Sequence, residues 1–310
     1  MSEKSPYISV VIPTYSDPDT LGVTLKSLMQ QSLKADEIVV VDDCGDIQAS
    51  DIIKDSFPEV RIIRHEVNQG VHFARNTGYT EVSGEFIFFL DADDILFPDF
   101  LENAVNALEK NPDAAVCFGN FYRCLDGNPE PFILQYRKVP PETQKYQPDE
   151  GILYYLDNTG AFIPSFTVIR RTMLEAVSKN GKVFFEDVWG NEDFHLFVRL
   201  LANFPALYIK NEQGVYFIQP SSLSRNFQKV WLSRCIAMDS LVELANEKRL
   251  PHISVDILAK HLHGASRKYA MSLSQAGERN AAKEFLVKKI KQSPSVKSIV
   301  LYILISLRIH

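Results

Sequence analysis

The chain has 310 residues, 45% hydrophobic and 23% charged, with a formal net charge of −6. That composition can bury a sizeable core, which excludes a disordered chain and leaves room for one large domain plus an extension. Its four cysteines, Cys44, Cys117, Cys124 and Cys235, lack CxxC or zinc spacing and read as reduced thiols in a cytoplasmic protein.

MSEKSPY leads directly into a strand, so no secretory leader is expected. Tyr7 to Pro13 (YISVVIP) is a buried strand closed by proline. Asp17-Pro18 opens a helix with Leu21, Leu25 and Leu28 on one face. Glu37 to Val41 is a second strand, ending in Asp42-Asp43, and Val60 to Arg64 is a third. Gly70 to Glu81 reads as a helix entered through Asn68 and Gly70. Phe86 to Leu90 is a fourth strand, and Pro98 to Lys110 a helix burying Leu101, Ala104, Val105 and Leu108. Ala114 to Phe118 is another strand.

Leu125 to Tyr155 carries five prolines between Pro129 and Pro148 and reads as a long irregular segment, the kind that forms lids or acceptor-binding loops. Phe162 to Ile169 returns to strand, and Arg170-Arg171 leads into a short helix. Asn191 to Asn203 is a helix with Phe194, Phe197, Val198 and Leu201 inward. Ala206 to Lys210 and Gly214 to Gln219 read as two short strands. After Arg225 the pattern is helical, over 228–248, 252–274 and 277–291.

Residues 226–310 hold 14 Lys+Arg against 6 Asp+Glu, a net of +8 that leaves −14 for the rest. An acidic body with a basic tail suits a membrane surface or a polyanion better than a DNA-binding core, and no nucleic acid partner is expected. The apolar run Ile299 to Ile305 is far shorter than the roughly 20 residues a spanning helix needs. Lys283, Lys288, Lys289, Lys291 and Lys297 precede it. Basic residues beside a short apolar helix suit an anionic membrane surface, and packing of that helix on the main domain is the competing expectation.

Strands alternating with helices over the first ~120 residues imply an α/β fold with a mostly parallel sheet and right-handed crossovers. The polar residues of interest fall at strand ends: Thr14 to Asp17, Asp42-Asp43 and Asp91 to Asp94. Ligands of open α/β sheets bind beyond the carboxyl ends of the strands, so these residues mark one nucleotide-sized site. In FIFFLDADD (Phe86 to Asp94), three carboxylates crowd one strand end. A cation relieves their repulsion, and oxygen ligands favour Mg²⁺ or Mn²⁺ shared with phosphate oxygens. Turn and helix capping is the plainer use of such an Asp cluster.

Five blocks in order resemble the family 2 glycosyltransferases of GT-A fold: ISVVIPTYSD, EIVVVDDCGD, NQGVHFARNTG, FFLDADD and NEDFHLFVRL. The likeness covers about residues 6 to 225. It implies a GT-A domain over 1–225 and a basic helical extension over 226–310. It further implies inverting transfer of a sugar from a nucleoside-diphosphate sugar, with UDP the expected nucleotide, to the hydroxyl of a saccharide or lipid-linked saccharide, as in bacterial polysaccharide or glycolipid synthesis. The location implied is cytoplasmic, with peripheral contact at the inner membrane face.

The residues carried over are Pro13, Tyr15, Asp43, Asn68, Arg75 and Asp91 for the nucleotide, Asp93 for Mn²⁺ or Mg²⁺, and Asp193 as catalytic base. Tyr15 would stack on the base, Asp43 or its neighbour Asp42 would accept from uracil N3–H, and Arg75 would reach the diphosphate or the acidic cluster. Asp94 is a supporting group or a helix cap. Glu192 is the alternative base. His72 has no role. The chain departs from the family at Ser16, where Asn is usual, and at Gln219, where a histidine often serves the metal or diphosphate. Two rivals stand beside this reading. A catalytically inactive scaffold would have lost Asp93 or Asp193, and both are present. A sugar nucleotidyltransferase would carry a Gly-rich basic loop where this chain has PTYSD.

Overall fold

The structure, a computed structural model, describes residues 7–53, 56–125, 133–134, 140, 142–158, 160, 163–218 and 225–307. Gln219 and Ser221 to Ser224 lie outside the described residues. The chain divides into two compact units: Met1–Asp187 with Leu196–Gln219, and Val188–His195 with Pro220–His310.

The first unit is built on a ten-stranded sheet. Its strands are β1 (Ile8–Thr14), β2 (Glu37–Asp42), β3 (Val60–Arg64), β4 (Phe86–Phe89), β5 (Ile95–Leu96), β6 (Val116–Leu125), β7 (Ile133–Leu134), β8 (Gln144–Tyr146), β9 (Thr167–Arg170) and β10 (Ala206–Ile218). The order is β3-β2-β1-β4-β9-β6-β10-β5, with β7 on β6 and β8 on β10. β3, β2, β1 and β4 are parallel neighbours. β9 runs against β4 and β6, and β6 and β10 are parallel. Six strands therefore share one direction, and the α/β class holds.

β1 and β4 are buried along their whole length, which explains their unbroken apolar runs. The site follows from register. Thr14 at the end of β1 pairs with Asp42 at the end of β2, and Asp42 pairs with Arg64 at the end of β3. Strand order reverses at β1, which lies between β2 and β4, and such a switch point opens a crevice at the carboxyl ends.

The helices of this unit are α1 (Leu21–Met29), α2 (Ala49–Ile53), α3 (Val71–Thr80), α4 (Phe100–Glu109), α5 (Pro148–Asp157) and α6 (Arg171–Ala176). Leu21, Leu25 and Leu28 of α1 and Leu101, Ala104, Val105 and Leu108 of α4 join Ile8, Val10, Ile12, Phe86 and Phe88 in one core. α3 packs on β1 and β2. Gly78 permits this close approach, because a β-carbon there would collide with Val11.

Three expectations need correction. Within Leu125 to Tyr155, β8 and α5 are ordered elements; Pro148 opens α5, and Glu150 turns its carboxylate back to Gln147 N, 3.4 Å away. The two late strands are one, β10, with register shifts between Ile209 and Val215 that account for the polar break at Asn211 to Gln213. Within Phe162 to Ile169, of which Phe162 lies outside the described residues, Pro164–Phe166 is a 3₁₀ turn ahead of β9.

α7 (Glu192–Leu201), which precedes β10 in the chain, contributes residues to both units. The second unit is helical: α8 (Phe227–Asn246), α9 (Val255–Gln275), α10 (Arg279–Gln292) and α11 (Val296–Leu307). Ala270, Leu273, Ala282, Leu286 and Ile305 form its core, with Leu301 and Tyr302 packed against it. Asn226 and Ser254 cap α8 and α9 through their side-chain oxygens. No helix among the described residues is long and apolar enough to cross a membrane.

Candidate active site

The turn after β1 is shaped by Asp17. Its Oδ2 accepts from Thr14 Oγ1 at 2.8 Å and from Tyr15 N at 2.9 Å. That turn leaves Tyr15 exposed, with 51% of its surface accessible. Pro13 is buried in β1 beyond the last β1–β4 register pair, so its missing N–H falls where that ladder has ended. Ser16 adopts φ 56°. Asparagine tolerates this left-handed region better than most residues, which gives the departure at position 16 a physical meaning. Gly45 lies so close to Ser16 that a β-carbon would collide with it.

Asp42 and Asp43 are both buried, and both carboxylates are engaged by protein donors. Asp42 accepts from Gly45 N, Ala49 N and Arg64 Nη1, at 3.1, 2.9 and 2.5 Å, and so organises the loop into α2. Asp43 accepts from Gln69 N at 3.0 Å and Gly70 N at 2.7 Å, and its Oδ1 lies 2.7 Å from His65 Nδ1. A carboxylate offers about four lone-pair directions, and these contacts use three of them on Asp43. Asn68 is exposed in the turn that presents those two backbone donors.

Arg75 is buried on α3 and donates from Nη2 to Asp91 Oδ1 at 2.6 Å. Its guanidinium lies over the Phe184 ring, 5.5 Å from the centroid. Asn76 holds Phe184 in place: its Oδ1 accepts from Val183 N and Phe184 N, and its Nδ2 donates to Phe184 O at 2.7 Å. His72, on the same helix, is buried, and desolvation holds its imidazole below the usual range.

At the end of β4, Asp91 N donates to Ser165 Oγ at 3.1 Å. Burial first, then the charges of Asp91 and Asp17, push the Asp93 carboxyl up to about 7. Asp94 is fully buried and raised well above the usual carboxylate range by burial and by Asp93 and Asp91. Its Oδ1 accepts from Phe217 N at 3.1 Å, while Oδ2 has no hydrogen-bond partner among the described residues. Asp17 and Asp91 thus lie near enough to Asp93 to raise it, and Arg75 holds Asp91 from the protein side. Among the described residues no group of three or more His, Cys, Asp or Glu side chains is placed to hold a metal ion by itself, so Asp91 and Asp93 would hold a Mg²⁺-like ion only with phosphate and water completing its shell.

Asp193 occupies the first turn of α7, with Oδ1 accepting from Phe194 N at 2.6 Å. It belongs to the second compact unit with Asn191, whose Nδ2 donates to Ser233 Oγ at 2.6 Å and Val230 O at 3.2 Å. Glu192 beside it is buried. Arg199, in the same sequence block, is a structural pin: buried, it donates to Val177 O and Val183 O at 2.5 and 2.6 Å and stacks on Phe185.

The sequence model named Glycosyl transferase family 2 matches residues 9–178. The chain belongs to this family. Among similar proteins, an uncharacterised glycosyltransferase of Haemophilus influenzae is 35% identical over 106 residues, 34% of this chain and 36% of that protein. The Escherichia coli UDP-Glc:alpha-D-GlcNAc-diphosphoundecaprenol beta-1,3-glucosyltransferase WfgD is 30% identical over 223 residues, 71% of this chain and 80% of that one. The match spans about a third of the length of the Haemophilus relative. The fold matches Staphylococcus aureus TarS 1-349 in its complex with UDP-GlcNAc, with TM-score 0.67 and 18% identity, over 95% of this chain and 83% of that one.

In this family 2 glycosyltransferase, Pro13, Tyr15, Asp43, Arg75, Asp91 and Asp93 lie at the carboxyl-end rim of the parallel strands or on α3 beside it, with Asn68 in the turn ahead of that helix. Three contributors were missed from sequence. His65 bridges Asp43 and Thr77, with Nε2 2.9 Å from Thr77 Oγ1. Ser165 takes the Asp91 amide, and Phe184 backs Arg75. For the first, the β2–β3 register sets Arg64-His65 beside Asp42-Asp43, an arrangement no local sequence pattern spells out.

Proposed function

We propose that this family 2 glycosyltransferase moves one sugar, with inversion, from a UDP-sugar to an acceptor hydroxyl on a saccharide or lipid-linked saccharide. The observation that carries this reading is the nearness of Asp17 and Asp91 to Asp93, beside Arg75 at the sheet's switch point. WfgD, whose name states a UDP-glucose donor and a diphosphoundecaprenol-linked acceptor, supports the donor and acceptor classes. A role in bacterial polysaccharide or glycolipid synthesis follows from the same likeness.

In this reading Tyr15 stacks on the base through its exposed face. Asp43 takes uracil N3–H with its remaining lone pair, while His65, Gln69 N and Gly70 N hold the carboxylate still. Asn68 keeps the turn that supplies those amides. Asp91 is held by Arg75 and Ser165 and contacts the ribose or coordinated water. Asp93, with Asp91, would hold Mn²⁺ or Mg²⁺, which when bound neutralises charge on the departing diphosphate. Asp193 takes the acceptor's proton as its oxygen attacks the anomeric carbon opposite the leaving group. The first turn of α7 favours its ionised form. The domain roles proposed are transfer by residues 1–225 and support by 226–310, at the cytoplasmic side.

Measuring UDP released from a panel of nucleotide sugars, with Mn²⁺ and with chelator, tests the reading. Metal-dependent UDP release from a UDP-sugar is expected. Pyrophosphate release would point to a nucleotidyltransferase, and no turnover of any donor with any acceptor would leave the scaffold reading standing.

A further inference from the structure

α11 has two apolar faces. Ile305, Leu301 and Tyr302 turn into the core made with α9 and α10. Val296, Ile299, Val300, Ile303, Leu304 and Leu307 are exposed, at 36% to 77% of their surface. At about 100° per residue these six fall within one arc of about 140°, opposite the docked side. The helical unit thus satisfies its own core and still presents a continuous aliphatic strip, larger than the scattered exposed residues of an ordinary surface.

The strip is bordered by cations on both sides. A cleft of about 370 Å³ along one border is lined by Arg267, Lys268 and Lys297 together with Met271, Val300 and Leu304. A second cleft of about 510 Å³ is lined by Lys283, Lys288 and Lys291 with Val287 and Tyr302, and Glu284 is the acid among them. Lys283, Lys288, Lys291 and Lys297 make no ion pair among the described residues. Lys289, grouped with them in the sequence, is buried and pairs with Asp239 at 2.5 Å, so it belongs to the fold and not to the surface.

We infer that the α11 strip and its lysine border dock the chain on an anionic lipid bilayer. An interfacial helix needs an aliphatic face to enter the acyl boundary and flanking cations to meet lipid phosphates, and α11 presents both. A protein partner would meet the aliphatic strip equally well but gives no reason for a cationic border on each side. The net charge of +8 over residues 226–310, against −14 for the rest, favours the anionic surface for this part of the molecule. The inference is independent of the catalytic assignment.

Vesicle co-sedimentation of the full chain tests it, with phosphatidylglycerol/phosphatidylcholine vesicles compared with phosphatidylcholine alone, at low and high salt. The chain should bind the anionic vesicles at low salt and release at high salt. Each lysine lost near an anionic surface should weaken binding by about fivefold. Val300→Ser/Ile303→Ser and Lys283→Gln/Lys288→Gln/Lys291→Gln should both weaken it by at least about tenfold, with helical circular dichroism unchanged because all these side chains lie outside the core. Equal binding to neutral and anionic vesicles, no sedimentation at low salt, or native binding by both variants overturns the inference. So does a concentration-dependent dimer in light scattering that Val300→Ser/Ile303→Ser dissolves while no vesicle binding is seen.

Discussion

Arg75 Nη2 lies 2.6 Å from Asp91 Oδ1, and this contact ties α3 to the acidic end of β4. The guanidinium is buried while the carboxylate remains 29% exposed, so Asp91 is held from the protein side and open on the other. Arg75→Lys keeps the charge and loses the planar fork. It should weaken UDP binding by about 1–2 kcal/mol, and Arg75→Met should weaken it further and destabilise the fold, because Asp91 and Asp93 would then repel without compensation. Calorimetric titration of UDP, read beside thermal melts, separates the two effects.

Asp43 accepts from two backbone amides and meets His65, so its removal acts on the fold as well as on the nucleotide. Asp43→Ala should destabilise the chain by about 2–4 kcal/mol, since buried donors would be left unpaired. In protein that remains folded, UDP affinity should also fall, by about 1–3 kcal/mol. GDP should bind the native chain poorly. Tight GDP binding would show that the base is read differently.

Ser16 is held at φ 56°. Ser16→Asn should be neutral or slightly stabilising, because asparagine occupies this region more readily. Ser16→Val should cost about 1–3 kcal/mol and disturb the loop bearing Tyr15. Urea unfolding of the three proteins gives the ranking.

Much of this arrangement was legible in the sequence. β1, β2 and β4 are apolar runs buried on both faces, and aspartates follow where they end, so both the runs and their termination survive in one dimension, whereas β3 is short and partly exposed. α5 was missed because prolines dominate its neighbourhood, and Pro148 in fact serves as a helix opener. β10 was split because its bulges place polar residues inside a strand. His65 and Ser165 were invisible, since their roles come from strand register and from a 3₁₀ turn and not from any local pattern. Asn76 and Arg199 belong to recognisable blocks, yet their hydrogen bonds go to backbone carbonyls and amides and Arg199 also stacks on Phe185, so these two block residues serve packing.

Asp193→Asn preserves shape at the start of α7 and removes basicity. Sugar transfer should fall by about 10²-fold or more, with UDP affinity kept. Near-native transfer would move the assignment to Glu192.

In the proposed metal site, the Asp93 carboxyl, pushed up to about 7, would make cation binding proton-linked. The folded free chain holds this proton where the unfolded chain has lost it. The stability this group contributes is therefore full below the ordinary carboxylate range and is lost as pH rises toward about 7. A cation bound there with UDP would displace the proton. The rise in melting temperature given by Mn²⁺ and UDP should be larger near about pH 8 than near about pH 6, and calorimetry in two buffers of different ionisation heat should detect proton release.

The central claim is that the β4 carboxylates and a cation together hold the diphosphate of the donor. Titrating UDP onto the native chain and onto Asp93→Ala, each in Mn²⁺ and in EDTA, tests it most directly. Native affinity should drop at least about tenfold in EDTA, and Asp93→Ala should bind weakly with no response to metal. Equal UDP affinity for the native chain in Mn²⁺ and EDTA, or an Asp93→Ala variant that responds to metal as the native chain does, would contradict it.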